Sequence, residues 1–180
     1  TRFAKYPPPG LPDEDLAYDM LDAITAATTA AGQQRYEVSA YARPGHRCQH
    51  NLNYWRFGDY LGIGAGAHGK LSFAHRVVRQ VRWRDPAAYL RGALAGQALA
   101  QEHEVARADL AFEYLLGALR LVDGFDPREF VARTGLAPSA IETQLAAAEA
   151  RGWITREPAR IAPTTRGLDF LSDLQALFLP

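Results

Sequence analysis

The residues best suited to chemistry in this 180-residue chain are concentrated in one stretch, His50 to Gly69, HNLNYWRFGDYLGIGAGAHG. His50 is the leading candidate, because imidazole is the usual side-chain ligand for haem iron or zinc. Taken alone, a histidine beside Asn51 is more often a hydrogen-bonded structural residue. Zinc is disfavoured. Cys48 and His50 stand two apart and His68 is distant, which matches no tetrahedral zinc spacing. Tyr54 and Trp55 could stack on a planar ligand, although the default reading of such aromatic residues is core. Tyr60 to Gly66 (YLGIGAG) is a short apolar run with glycine at every second position. Repeated glycine in a strand marks either a tightly packed bulge or a place where a ligand comes close to the backbone. His46, His75 and His103 lack any such context and read as surface residues.

Charge points to the same region. The chain holds 20 basic and 20 acidic side chains, a formal net charge of zero. That zero is the sum of unlike parts. Arg43, Arg47, Arg56, Lys70, Arg76, Arg79, Arg82 and Arg84 face a single acid, Asp59, so residues 43–84 carry +7 and the remainder −7. Position therefore argues for an anionic partner where composition alone argues for none. An apolar fraction of 48% is ample for a core, and one cysteine excludes a disulfide scaffold and any all-cysteine metal site within the chain. No apolar run approaches the roughly 20 residues of a membrane span, and no signal peptide precedes the first turn signals. The chain opens on Thr1 and its only methionine is Met20, which suggests a fragment of a longer protein.

The elements that must position these residues follow from local pattern. Tyr6 to Pro12 (YPPPGLP) cannot be helix or central strand. Asp13, Glu14 and Asp15 then favour a helix start, with Leu16, Met20 and Ile24 on one face and Gly32 as its stop. Arg35 to Ala42 and Arg76 to Trp83 read as strands, the second suited to an edge by its arginines. Beyond Asp85-Pro86, an N-cap followed by proline, the chain becomes rich in Ala and Leu. Ala108, Phe112, Leu115, Leu119 and Val122 form an amphipathic stripe. Asp126-Pro127 opens another helix that Gly135 ends. Pro138 opens a third, with Ile141, Leu145 and Ala148 on one face and Gly152 as its stop. Trp153-Ile154 and Arg160-Ile161 read as short strands about a turn at Glu157-Pro158, and Thr165 caps a last helix carrying Leu168, Leu171 and Leu174. That order is winged-helix-like. DNA binding is nevertheless disfavoured, since phosphate neutralisation carries DNA affinity and residues 85–180 hold nine Arg against 13 acids.

The strings Tyr36 to Gly45 (YEVSAYARPG), His50 to Arg56 (HNLNYWR) and Gly58 to Gly69 (GDYLGIGAGAHG) closely resemble the radical S-adenosylmethionine family of oxygen-independent coproporphyrinogen III oxidases. Within that family they look like the haem-chaperone branch, whose His-Asn-x-x-Tyr-Trp signature is matched by His50, Asn51, Tyr54 and Trp55. The resemblance covers essentially the whole chain. It implies an α+β chain: residues 1–84 as the C-terminal segment of an α/β, partial TIM-like barrel, and 85–180 as a mostly helical, winged-helix-like domain. It implies that His50 is the haem-associated residue and ligand of its iron, with Asn51, Tyr54 and Trp55 beside the macrocycle. Gly64, Gly66 and Ala67 would face S-adenosylmethionine through their backbone. Arginines of the basic segment could pair with porphyrin propionates or the methionyl carboxylate.

The departure is equally plain. Radical members hold an iron–sulfur cluster through a Cys-x-x-x-Cys-x-x-Cys motif near their N-terminus, and this chain has Cys48 alone. It is therefore expected to contain no catalytic residue and to be inactive in radical chemistry by itself. The implied protein is a cytoplasmic haem chaperone, with haem or porphyrin and haem-recipient proteins as partners and a homodimer through an open strand edge as an option. The alternative is a genuine oxidase that decarboxylates coproporphyrinogen propionates through a 5′-deoxyadenosyl radical. A cofactor-free winged-helix interaction module is a third reading.

Overall fold

The computed structural model describes residues 2–180, which form two compact units meeting at Arg47 and Cys48. The first holds α1 (Arg2–Lys5), α2 (Glu14–Ala30), β1 (Gln34–Glu37) and β2 (Ala40–Ala42). Asp13 caps α2, its carboxylate accepting from the Leu16 N–H at 2.9 Å, and Gly32 follows the helix with φ of +77°. The single strand expected over 35–42 is instead an antiparallel hairpin. Polar side chains make the turn. The Glu37 carboxylate accepts from the Ser39 N–H at 2.9 Å and hydroxyl at 3.1 Å, and the Arg35 guanidinium donates to the Val38 carbonyl.

The second unit begins with α3 (Gln49–Trp55) and continues through β3 (His68–Ser72), β4 (Val77–Arg82), α4 (Pro86–Leu94) and β5 (Leu99–Glu104). It then runs through α5 (Leu110–Ala118), α6 (Pro127–Thr134), a 3-10 turn (Pro138–Ile141), α7 (Glu142–Ala150), β6 (Ile154–Glu157), β7 (Arg160–Pro163), α8 (Thr165–Asp169) and α9 (Leu171–Ala176). Strands β3, β4 and β5 form one sheet in that order, antiparallel at both pairings.

Two expectations change here, and one strand, β5, had no counterpart in the sequence reading. β4 is the central strand, not an edge. Its arginines are accommodated because they reach beyond the sheet, Arg79 to Glu113 and Arg82 to the Gly62 carbonyl. β5 (LAQEHE) carries no apolar alternation because most of its side chains are exposed, so its pairing rests on backbone bonds that composition does not advertise. The run Tyr60 to Gly66 is not a strand. Tyr60 alone bridges to Lys70, after which Gly64 and Gly66 take φ of +106° and +71°, values that end strand geometry.

The core lies in the helical part. Tyr114, Leu115 and Leu119 meet Phe130, Ile141, Leu145, Ala148, Ile161 and Leu174. The buried Tyr114 ring makes edge contacts with Phe57, Phe125 and Phe130 at 6.0, 5.5 and 5.4 Å between centroids. Expected caps are present: Asp85 accepts from the Ala88 N–H, Asp126 from the Arg128 N–H, and Gly135 ends α6 in the left-handed region. The last helix is capped by Thr164 rather than Thr165 and breaks at Phe170, which stacks on Trp153 at 6.1 Å. No helix among the described residues is long and apolar enough to cross a membrane.

That C-terminal junction yields a test. A Cβ on Gly167 would sit 1.9 Å from the Trp153 carbonyl oxygen. Alanine gains up to about 1 kcal/mol of helix propensity over glycine, but the overlap with backbone outweighs it. We expect Gly167→Ala to lower stability by roughly 1–3 kcal/mol, read from thermal unfolding by circular dichroism. A melting temperature equal to or above wild type would contradict this packing.

Candidate functional site

Helix α3 carries the whole His-Asn-x-x-Tyr-Trp string. His50 and Tyr54, one turn apart, share a face, and their rings meet edge to face at 4.7 Å. Tyr54 in turn meets Tyr60 at 4.4 Å. His50 is exposed, and no hydrogen bond to its imidazole is found among the described residues. Asn51 lies half-buried in the same turn. Trp55 points to the other side, where the Arg120 guanidinium lies 4.3 Å from its ring centroid. Its indole N–H is buried and finds no acceptor among the described residues.

Helix α3 rests on α5 at Gly117. A Cβ there would lie 3.1 Å from the Trp55 carbonyl oxygen, so glycine lets the two backbones approach. Between them is a cavity of about 170 Å³, lined by Tyr54, Trp55, Tyr60, Lys70, Arg79 and Glu113 among others. Arg79 spans its wall, pairing with Glu113 and donating to the Tyr60 hydroxyl at 2.9 Å.

The far end of α3 is held by a buried cation that the sequence did not single out. Lys70 is 1% exposed, and its ammonium donates to the Phe57 carbonyl at 2.9 Å, Asp59 at 3.0 Å and the Ser72 hydroxyl at 2.8 Å. It also lies 3.8 Å from the Phe57 ring centroid. All three protons are used, so the group stays satisfied as a cation. Burial pushes its pKa below the ordinary lysine value, against the opposing pull of Asp59. For Asp59 the bonding partners outweigh burial. Burial raises it, but the Ser72 hydroxyl and N–H and the Lys70 ammonium together hold it below the usual carboxylate value.

Phe57 has φ of +56°, unique among the described non-glycine residues. Such a residue carries on the order of 1–3 kcal/mol of backbone strain, which the charge-assisted bond to its carbonyl offsets. Gly58 completes the turn. Its N–H donates to the Asn53 carbonyl at 2.7 Å, while the Asn53 amide donates to the Asp59 carbonyl at 2.9 Å. A Cβ on Gly58 would fall 1.9 Å from the Asn53 side-chain oxygen. The one legible signal for this lock was that Asp59 is the sole acid among eight cations.

Gly64, Gly66 and Ala67 lie in the loop entering β3. Their N–H groups are committed: Gly64 to the Tyr89 hydroxyl at 3.1 Å, Gly66 to the Trp83 carbonyl at 2.8 Å, and Ala67 to the Gly64 carbonyl at 3.2 Å. Gly62 has its own reason, since a Cβ there would stand 2.4 Å from the His68 carbonyl oxygen. The loop is thus tied to α4 and β4. Of the eight cations, Lys70, Arg79 and Arg82 are spent on internal contacts, whereas Arg56, Arg76 and Arg84 are exposed. Among the described residues no three His, Cys, Asp or Glu side chains gather as a metal site.

Residues 105–170 match the family model described as the HemN C-terminal domain. The chain is 44% identical over 173 residues to the heme chaperone HemW of Escherichia coli, covering 96% of this chain and 45% of that protein. It is 42% identical over 180 residues to the heme chaperone HemW of Haemophilus influenzae, covering 99% of this chain and 46% of that protein. The chain therefore spans somewhat under half the length of these relatives. Its fold resembles the solved structure of coproporphyrinogen III oxidase (HemN) from Escherichia coli, described as a radical SAM enzyme. The TM-score is 0.68 at 18% identity, covering 93% of this chain and 42% of that one.

The lock makes a pH-dependent prediction. Because the folded state holds Asp59 below its unfolded pKa of about 3.9, its contribution is full above that value and is lost as pH falls through the folded one. We expect Asp59→Asn to cost about 1–3 kcal/mol at pH 7 and to lose less stability than wild type on acidification. Urea denaturation from neutral to strongly acid pH measures both. Parallel pH curves for the two proteins would refute it.

Proposed function

The chain belongs to the oxygen-independent coproporphyrinogen III oxidase family, with heme chaperones named HemW among its relatives, and from that premise we propose that it carries the haem-handling surface of a haem chaperone. The observation that bears most weight is the state of His50: exposed, with no hydrogen bond among the described residues, and backed by the edge of the Tyr54 ring. An imidazole so placed is available to a metal of the borderline class. Helix α3 supplies the mounting, Tyr54 and Tyr60 an aromatic flank, and the Lys70 lock keeps the end of the helix from fraying.

The cavity beside Trp55 measures about 170 Å³, below the roughly 300–1,000 Å³ typical of enclosed ligand sites. A macrocycle would consequently lie across the outer face of α3 rather than inside. An open face suits a cargo that must be handed on. Arg56, next to the motif in sequence, and Arg84 are exposed, and either could meet a propionate through the guanidinium fork.

The same reading assigns residues 1–84 to the end of a radical-domain barrel and 85–180 to a winged-helix-like C-terminal domain. The family match over 105–170 and the helix–helix–hairpin order of α6, α7, β6 and β7 support the latter assignment. S-adenosylmethionine and an iron–sulfur cluster belong to the whole protein in this reading. One exposed cysteine, Cys48, cannot supply a cluster's thiolates, and the N–H groups of Gly64, Gly66 and Ala67 are already engaged, so no chemistry is assigned to either group here. Haem-recipient proteins, a homodimer and a cytoplasmic location complete the proposal.

Titrating haem into the protein and into its His50→Ala form, followed by Soret absorbance, tests it. We expect binding weakened by roughly ten-fold or more and a changed band position in the variant. Unaltered affinity and an unaltered spectrum would remove His50 as the ligand.

A further inference from the structure

A second concentration of positive charge lies elsewhere in the 48–180 unit. The β3–β4 connection, the loop entering α5 and the last turn of α6 enclose a cavity of about 310 Å³. Its walls carry His75, Arg76, Arg107 and Arg133 and no carboxylate, and it shares no residue with the aromatic cavity beside Trp55. None of the three guanidiniums has an ion-pair partner among the described residues, whereas Arg79, Arg128 and Arg156 are all paired.

The frame around these cations is fixed by backbone. The Phe73 N–H donates to the Arg76 carbonyl at 2.8 Å, closing the turn, and the Val105 N–H donates to the Val77 carbonyl at 2.8 Å, tying that turn to the loop of Arg107. Val77, Leu110 and Thr134 are buried, and the Thr134 hydroxyl is already committed to the Phe130 carbonyl and the Leu136 N–H. The arginines therefore supply the free donors. Like charges brought together from three segments repel one another unless a counter-charge joins them, and the guanidinium fork matches the oxygens of carboxylate and phosphate.

We propose that this cavity binds a small polyanion bearing two or more phosphate or carboxylate groups. Arg107 and Arg133 come from the half of the chain whose net charge is negative, so the site is invisible in segment charge.

Calorimetric titration of the protein at low ionic strength with inorganic pyrophosphate, and separately with citrate, tests the proposal. The expected result is saturable one-to-one binding of at least one probe. It should weaken by roughly ten-fold or more in Arg107→Gln and in Arg133→Gln, and stay unchanged in Arg166→Gln, which makes the same charge change on exposed α8. Tighter pyrophosphate identifies a phosphate ligand and tighter citrate a carboxylate. Equal affinities identify a general oxyanion site. Matched melting curves confirm that the variants are folded. No saturable binding of either probe, or equal weakening by Arg166→Gln, would overturn it.

Discussion

One buried ammonium organises the region that matters. Lys70 donates to the Phe57 carbonyl, to Asp59 and to Ser72, and those three partners lie on the turn after α3 and at the end of β3. Removing a lysine from water is costly unless every proton is satisfied. Here each one is, and the same bonds hold Phe57 in a left-handed conformation that a bulky residue adopts rarely. The orientation of α3 against the sheet follows from that clasp, and with it the direction in which His50 and Tyr54 face.

The clasp also explains why the basic segment cannot be treated as a uniform anion-seeking surface. Lys70 and Arg79 are consumed in building the site and Arg82 in fastening the glycine loop. Charge that looked like binding capacity is partly scaffold. What remains free is a smaller set, of which Arg76 is joined by Arg107 and Arg133 from far along the chain. Electrostatic character is thus a property of the folded surface and not of any segment.

Much of the fold was legible from local rules. Proline at N1 after Asp85 and Asp126, and glycine after α6, act within a few residues, so the helices they bound could be read directly. The same holds for α2, whose cap and first-turn acids are contiguous. What local pattern missed or misread shares a cause too. β5 has mostly exposed side chains, the hairpin at 35–42 hinges on Glu37 bonding to Ser39, and α8 and α9 separate where Phe170 stacks on Trp153. Each depends on a partner that composition does not show. The candidate site divides the same way: His50, Asn51, Tyr54 and Trp55 were evident as a string, whereas Lys70, Asn53 and Gly117 gained meaning only from what they touch.

By itself the sequence determined the family, through the His-Asn-x-x-Tyr-Trp string and the glycine run that follows it, and it determined the helices with local caps. Both are readable because their information is contiguous. Tertiary structure alone decided that Lys70 is an internal clasp, that β4 is central, that the alternating glycines answer to backbone approach and positive φ, and that Arg76, Arg107 and Arg133 share one cavity. The physical reason is common to all four. Desolvation, strand pairing, steric contact and charge convergence are set by distances in space between residues that the sequence holds apart.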